Sequence, residues 1–262
     1  MLAQQKLTKK PGRWIRWLII GISFIVVLLL LAYVGIGIYG ANTFNQDSKR
    51  VRDFGLETPA KYGLNYQEVS FASSGQSNLT LRGWWVPKDG SQKALILVHG
   101  RDSNRTRLLP LSKSLSDSGY NLLYFDLQGQ GQSDGDRYYF GQREKEDVTG
   151  AFAFVKSKGF SSSSIGVLGW SMGGSATLLA LPLEPELKVV VTDSAYADFE
   201  KVAYYRFSRD YGLPDFLLPG IFASGKLLYG LDMNQTRPEV ALQQVEGRRI
   251  FLIHGDKYGC DA

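Results

Sequence analysis

Ile165-Gly166-Val167-Leu168-Gly169-Trp170-Ser171-Met172-Gly173-Gly174 is the stretch whose reading decides the fold of this chain. An apolar run short enough for a buried strand ends at Gly169. Ser171 follows two residues later, and the small residues Gly173, Gly174, Ser175 and Ala176 lead into Thr177-Leu178-Leu179-Ala180, which reads as a helix. The pattern is strand, sharp turn, helix, with Ser171 at the apex. A serine hydroxyl attacks a carbonyl only if it is held clear of its own backbone. That requires a strained turn in which side chains at positions 169 and 173 would collide, and glycine occupies both. Ser171 is therefore the candidate nucleophile.

Gly169-Trp170-Ser171-Met172-Gly173 resembles the nucleophile elbow of the α/β-hydrolase superfamily. Leu95-Ile96-Leu97-Val98-His99-Gly100, Phe125-Asp126-Leu127-Gln128-Gly129-Gln130-Gly131-Gln132-Ser133, Val191-Thr192-Asp193-Ser194 and Phe251-Leu252-Ile253-His254-Gly255-Asp256 agree with the family in order and spacing. The likeness runs from residue 65 to residue 256. It implies an α/β fold with a mostly parallel central sheet, helices on both faces and a helical cap.

Composition places 262 residues in the ordinary globular range. Lys6, Lys9, Lys10, Arg13 and Arg16 precede any acidic residue and account for the whole net charge of +5. The remainder is neutral, so a nucleic-acid partner has no support. Cys260 is the sole cysteine, which excludes a disulfide framework and a zinc site. No cofactor is implied. Gly129 to Gly135 has the wrong spacing for a dinucleotide loop and reads as a tight turn, and Glu144, Lys145, Glu146 and Asp147 read as a solvated helix face rather than a metal site.

From Trp17 to Gln46 the chain carries no charge, and Leu18 to Tyr39 is almost wholly apolar. About 20 such residues cross a bilayer, whereas the apolar region of a secretory signal peptide is about 7 to 15. The segment reads as an uncleaved, single-pass anchor in the cell membrane. The basic N-terminus then lies in the cytoplasm and the folded domain outside it. The expected organisation is a basic N-terminus at 1–16, a transmembrane helix at 17–40, a stalk at 41–64 and a hydrolase domain at 65–262.

Within that domain, Tyr66 to Ser73 and Leu79 to Lys88 read as a hairpin. Lys93 to His99, Asn121 to Leu127, Ser164 to Gly169, Lys188 to Thr192 and Arg248 to Ile253 read as strands, alternating with helical patterns at 105–118, 142–158 and 172–183. Residues 195–240 break this rhythm with many aromatic residues. By resemblance they are the cap, and their rings either line an apolar substrate site or form a small core.

Acyl transfer needs a base for the serine proton and donors for the oxyanion. The backbone N–H groups of Met172, at a helix N-terminus, and of Arg101, by family resemblance, are the expected donors. The sequence has two histidines, His99 and His254. Resemblance gives His99 a structural role beside the oxyanion loop and places His254 at the end of the seventh strand. Neither matches the family's catalytic histidine, which follows an eighth strand. The acid is Asp256 or Asp193, since Tyr258 stands where the family usually has an aspartate. The sequence ends at Ala262, so the expectation is a C-terminally truncated or frame-shifted enzyme without its last strand, last helix and catalytic histidine. Two functions remain open. One is a serine hydrolase cleaving an ester, thioester or peptide bond in a small-molecule, lipid or peptide substrate through an acyl-enzyme on Ser171. The other is an inactive binding module, or a fragment lacking the base.

Overall fold

The computed structural model describes residues 12–46 and 50–255. Its frame is one sheet of seven strands: β1 (Gln67–Ser73), β2 (Gln76–Val86), β3 (Lys93–Val98), β4 (Tyr120–Phe125), β5 (Ile165–Trp170), β6 (Val189–Asp193) and β7 (Arg249–Ile253). The order across the sheet is β1-β2-β4-β3-β5-β6-β7. β1 and β2 pair antiparallel, as does β2 with β4, and every later pairing is parallel. The chain leaves β3 to build β4 on one side and returns to build β5 on the other. That reversal opens a crevice at the carboxyl ends of the strands, where ligands bind in open α/β sheets.

Alternation within the strands sends side chains to two cores. Leu123 and Phe125 of β4, Ile96 and Val98 of β3 and Val167 of β5 face one layer, built on α3 (Glu144–Ser157) and α4 (Met172–Ala180). Leu122 and Tyr124 of β4 and Leu97 of β3 face the other, with Trp84, Leu108 and Leu109, beside α2 (Ser112–Asp117). Burial on both faces is why these strands read as continuous apolar runs.

The helix expected over 105–118 is split. Residues 105–111 form a 3₁₀ turn and α2 begins at Ser112, because Pro110 has no N–H to give to a helical ladder. The helix expected over 172–183 stops at Ala180: Leu181 is still helical at φ −57° and ψ −43°, but Pro182 has no N–H to give to Leu178 O, which accepts from Leu181 N instead. Among the described residues β7 is one edge of the sheet and β1 the other, with Phe251 and Leu252 of β7 63% and 59% exposed.

The N-terminal helix α1 (Arg13–Phe44) is long and apolar enough to cross a membrane, and none of its most apolar window is buried. Its C-terminal turns behave differently. Ala41 and Asn45 are buried, Phe44 contacts Phe140, Phe199 and Phe222, and Arg137 Nη1 donates to Asn42 O and Asn45 Oδ1, each at 3.1 Å. Arg50 donates to the carbonyls of Gly131 and Gly135, each at 2.7 Å. The stretch read as a stalk is thus fastened to the domain at Asn42, Phe44, Asn45 and Arg50.

Candidate active site

Ser171 joins β5 to α4 with φ 53° and ψ −122°, a conformation that an L side chain rarely adopts. Three contacts hold it there. Its N–H donates to Asp193 O at 2.7 Å, its carbonyl accepts from Ser175 N at 3.1 Å, and the two glycines admit backbone on either side. A Cβ at position 173 would lie 2.2 Å from His99 O, and one at position 169 would lie 2.6 Å from Gly173 O. Position 171 precedes α4, where a serine hydroxyl ordinarily caps the first turn, yet the hydroxyl makes no such bond. It is left available for chemistry.

The loop after β3 passes alongside. A Cβ on Gly100 would lie 3.0 Å from Ser171 Cβ, so the Gly100–Arg101 peptide runs against the serine. Met172 opens α4 with its side chain buried, and the first N–H groups of a helix have no partner within it. Gly100, the residue before the proposed donor Arg101, thus lies beside Ser171, and Met172 follows the serine directly. The Arg101 side chain turns to Asp102, with Nε 3.1 Å from Oδ2, and Tyr138 Oη donates to Asp102 Oδ1 at 3.1 Å.

A buried ion pair sets the path of this loop. Arg105 N donates to Asp126 Oδ1 at 2.7 Å, and Nε and Nη2 donate to Oδ2 at 3.0 and 2.8 Å. Both side chains are wholly buried, and Gln132 N donates to the same Oδ2 at 2.8 Å. The pair ties the segment after β3 to the turn after β4. Sequence reasoning missed it, although Asp126 stands inside a quoted motif and Arg105 lies shortly after another. Arg107 was also missed: its guanidinium carbon lies 4.1 Å from the Trp170 ring centroid, beside the elbow.

Both nitrogens of His99 are engaged. Leu127 N donates to Nε2 at 3.1 Å, which leaves Nδ1 to donate to Gly100 O at 2.7 Å. Burial lowers its pKa, and the ring is a neutral brace between two loops. His254 is exposed, follows β7 and contacts Gly255 O through Nδ1. Among the described residues no histidine forms a hydrogen bond with Ser171. Asp193 holds Ser171 by its carbonyl, while its Oδ1 accepts from Ser194 Oγ at 2.8 Å. Asp256, the other acid candidate, lies outside the described residues.

One expectation needs correction. Glu144 and Asp147 are buried, not on a solvated face: Glu144 accepts from Tyr139 N at 2.6 Å and Gly141 N at 2.8 Å, and Asp147 accepts from Gln128 N at 2.9 Å. These carboxylates satisfy backbone donors of the turns leading into α3, a demand that a run of charges does not reveal. The cap is built on α5 (Phe199–Tyr211) and α6 (Leu218–Tyr229); Phe207, Leu218 and Ile221 form the small core expected as one alternative, with Ala41 of α1, while Phe199 joins the main core and stacks on Phe140 with centroids 3.8 Å apart.

The sheet order, the elbow between β5 and α4 and the loop after β3 together define the α/β-hydrolase superfamily, of which this chain is a member. Comparison with known proteins agrees. The model of the family described as serine aminopeptidase, S33 matches residues 89–208. The chain is 26% identical over 191 residues to the uncharacterized protein YqkD of Bacillus subtilis, covering 72% of this chain and 62% of that one, so it spans less than two thirds of that relative's length. It is 36% identical over 109 residues to caffeoylshikimate esterase of Arabidopsis thaliana, covering 39% of this chain and 32% of that one. The solved esterase Pf2001 of Pyrococcus furiosus superposes with a TM-score of 0.61 at 26% identity, over 78% of this chain and 76% of that one. An α/β hydrolase from Vibrio vulnificus gives the same TM-score at 18% identity, over 84% and 76%, and shows the fold alone.

Proposed function

We propose that the chain is a membrane-anchored serine hydrolase that cleaves an ester, thioester or peptide bond through an acyl-enzyme on Ser171. Ser171 Oγ attacks the substrate carbonyl and gives up its proton to a base. The N–H groups of Met172 and Arg101 receive the oxyanion, which collapses and expels the leaving group with that proton. Water then attacks the acyl-serine and releases the acid. The observation that carries this reading is the Ser171 backbone, held at φ 53° with its hydroxyl unspent and the Gly100–Arg101 peptide against it. Two relatives named as esterases favour an ester among the three bonds.

His99 is committed to Leu127 and Gly100 and does not serve as the base, and the acid is Asp256 or Asp193. α1 serves as the anchor, with the basic N-terminus in the cytoplasm and the catalytic domain on the far side of the cell membrane. The locked His99 ring also favours a second reading, a binding module that keeps the elbow without a base.

Hydrolysis of p-nitrophenyl esters beside aminoacyl p-nitroanilides, by the full chain and by Ser171→Ala, tests the proposal. Ester turnover lost in Ser171→Ala supports it. A folded protein with no turnover of either substrate favours the binding module.

A further inference from the structure

The closing turns of α1 and the first turns of α6 are packed backbone to backbone. A Cβ on Gly37 would lie 2.8 Å from Gly220 O, one on Gly40 would lie 2.8 Å from the Ile221 side chain, and one on Gly220 would meet the Tyr33 ring at 2.9 Å. Glycines at a helix contact allow this approach. Two hydrogen bonds fix the register: Tyr33 Oη donates to Phe216 O at 3.1 Å, and Tyr229 Oη donates to Asn42 Oδ1 at 2.9 Å. The start of α6 therefore lies beside Tyr33 and its end beside Asn42, so the two helices run in the same direction.

This register assigns a depth to the cap. Counted from Leu18, the first residue of the apolar run, about 20 residues cross the hydrocarbon layer and reach Gly37. Tyr33 then sits four residues inside the boundary, about 6 Å at the rise of a helix. The Phe216 carbonyl is bonded to Tyr33, so the connection between α5 and α6 must descend to the same level. Its composition suits that level. From Tyr211 to Gly225 the only charged residue is Asp215, while Leu213 is 43% exposed and Phe216 66% exposed. Arg206 and Arg209 follow on the last turns of α5, both exposed and both paired with Asp210.

We propose that the tip of the cap, residues 213–217, is inserted into the leaflet that surrounds the C-terminal end of α1. Leu213 and Phe216 enter the acyl boundary, and Arg206 and Arg209 lie at the phosphate layer. Asp215 limits the depth, because its carboxylate stays among the headgroups. The occupant of this apolar surface is lipid, since a helix read as membrane-embedded already fixes its height. The inference rests on the anchored reading of α1 given above.

Depth-dependent quenching tests it. With Cys260→Ser as background, single cysteines are introduced in the full chain at Val27 in the span, at Phe216 and at Leu183. Leu183 follows α4 at the opposite end of the sheet and is 52% exposed. Phe216→Cys keeps the carbonyl that Tyr33 binds. Each protein carries one environment-sensitive fluorophore in phosphatidylcholine vesicles with or without lipid bearing a nitroxide partway down its acyl chain, within reach of both the mid-span and the acyl boundary. The expected result is a blue shift and loss of fluorescence at Phe216 comparable with that at Val27, and none at Leu183. Quenching at Val27 with Phe216 as unquenched as Leu183 overturns the inference and leaves the anchor standing. No quenching at Val27 overturns the anchor and the inference with it. A blue shift at Phe216 that grows with protein density and is insensitive to nitroxide lipid means that a second copy covers the tip, and also overturns the inference.

Discussion

Ser171 donates its backbone N–H to the carbonyl of Asp193 at 2.7 Å, so the apex of the elbow is pinned to the end of the neighbouring strand. The bond holds the serine at a positive φ and lifts its hydroxyl away from the cap position of α4. Conformations of this kind cost of order 1–3 kcal/mol and persist where the surroundings over-determine them.

Ser171→Gly should therefore raise stability while removing the nucleophile. Glycine relieves the strain at φ 53° and gives part of the gain back as unfolded-chain entropy, for a net stabilisation of about 1 kcal/mol. Urea unfolding of the two proteins checks it. An unchanged or lowered midpoint would mean that the elbow is not strained.

Arg105→Leu should be among the most damaging substitutions away from the serine. It leaves the buried Asp126 carboxylate without its guanidinium, and breaking such a pair by removing one partner costs about 3–5 kcal/mol. Thermal unfolding gives the stability. The same variant should lose its loop geometry after β3, read as increased hydrogen exchange over residues 100–104.

Stability should depend on pH through Asp147. Burial pushes its carboxyl well above the usual range, Glu144 and Glu146 add to the rise, and the bonds from Gln128 N and the Ser73 side chain oppose it. A carboxyl that binds its proton more tightly in the folded state stabilises below its unfolded value, about 3.9, and loses that contribution as pH rises toward its folded value. Asp147→Asn removes the titration. Its melting temperature should match the wild type in acid and exceed it increasingly toward neutral pH. A difference that does not vary with pH would contradict this.

Gly37→Ile should separate α1 from the cap. The new Cβ would come within 2.8 Å of Gly220 O, and backbone there cannot yield as a flexible side chain can. Hydrogen exchange over α6 should rise while the strands stay protected. Unchanged protection of α6 would show that the two helices are not coupled.

Most of the sheet was legible because parallel strands buried on both faces are continuous apolar runs, as in Lys93 to His99. The elbow was legible because its constraints are local: Gly169, Ser171 and Gly173 sit within five residues. The Arg105–Asp126 pair was not, since only the folded sheet brings residues 21 apart together without solvent. Glu144 and Asp147 were misread because a charge run shows polarity but not the backbone N–H groups that will surround it. The attachment of residues 42–50 was hidden for the same reason: Asn42 and Arg50 look like linker residues until Arg137 and the Gly131 carbonyl are placed beside them.

Reaction of the full chain with a fluorophosphonate, followed by intact mass and peptide mapping, tests the central claim most directly. The account predicts one adduct, on Ser171, that is absent from Ser171→Ala. A folded wild-type chain that takes no adduct, or one whose adduct persists in Ser171→Ala, would contradict it.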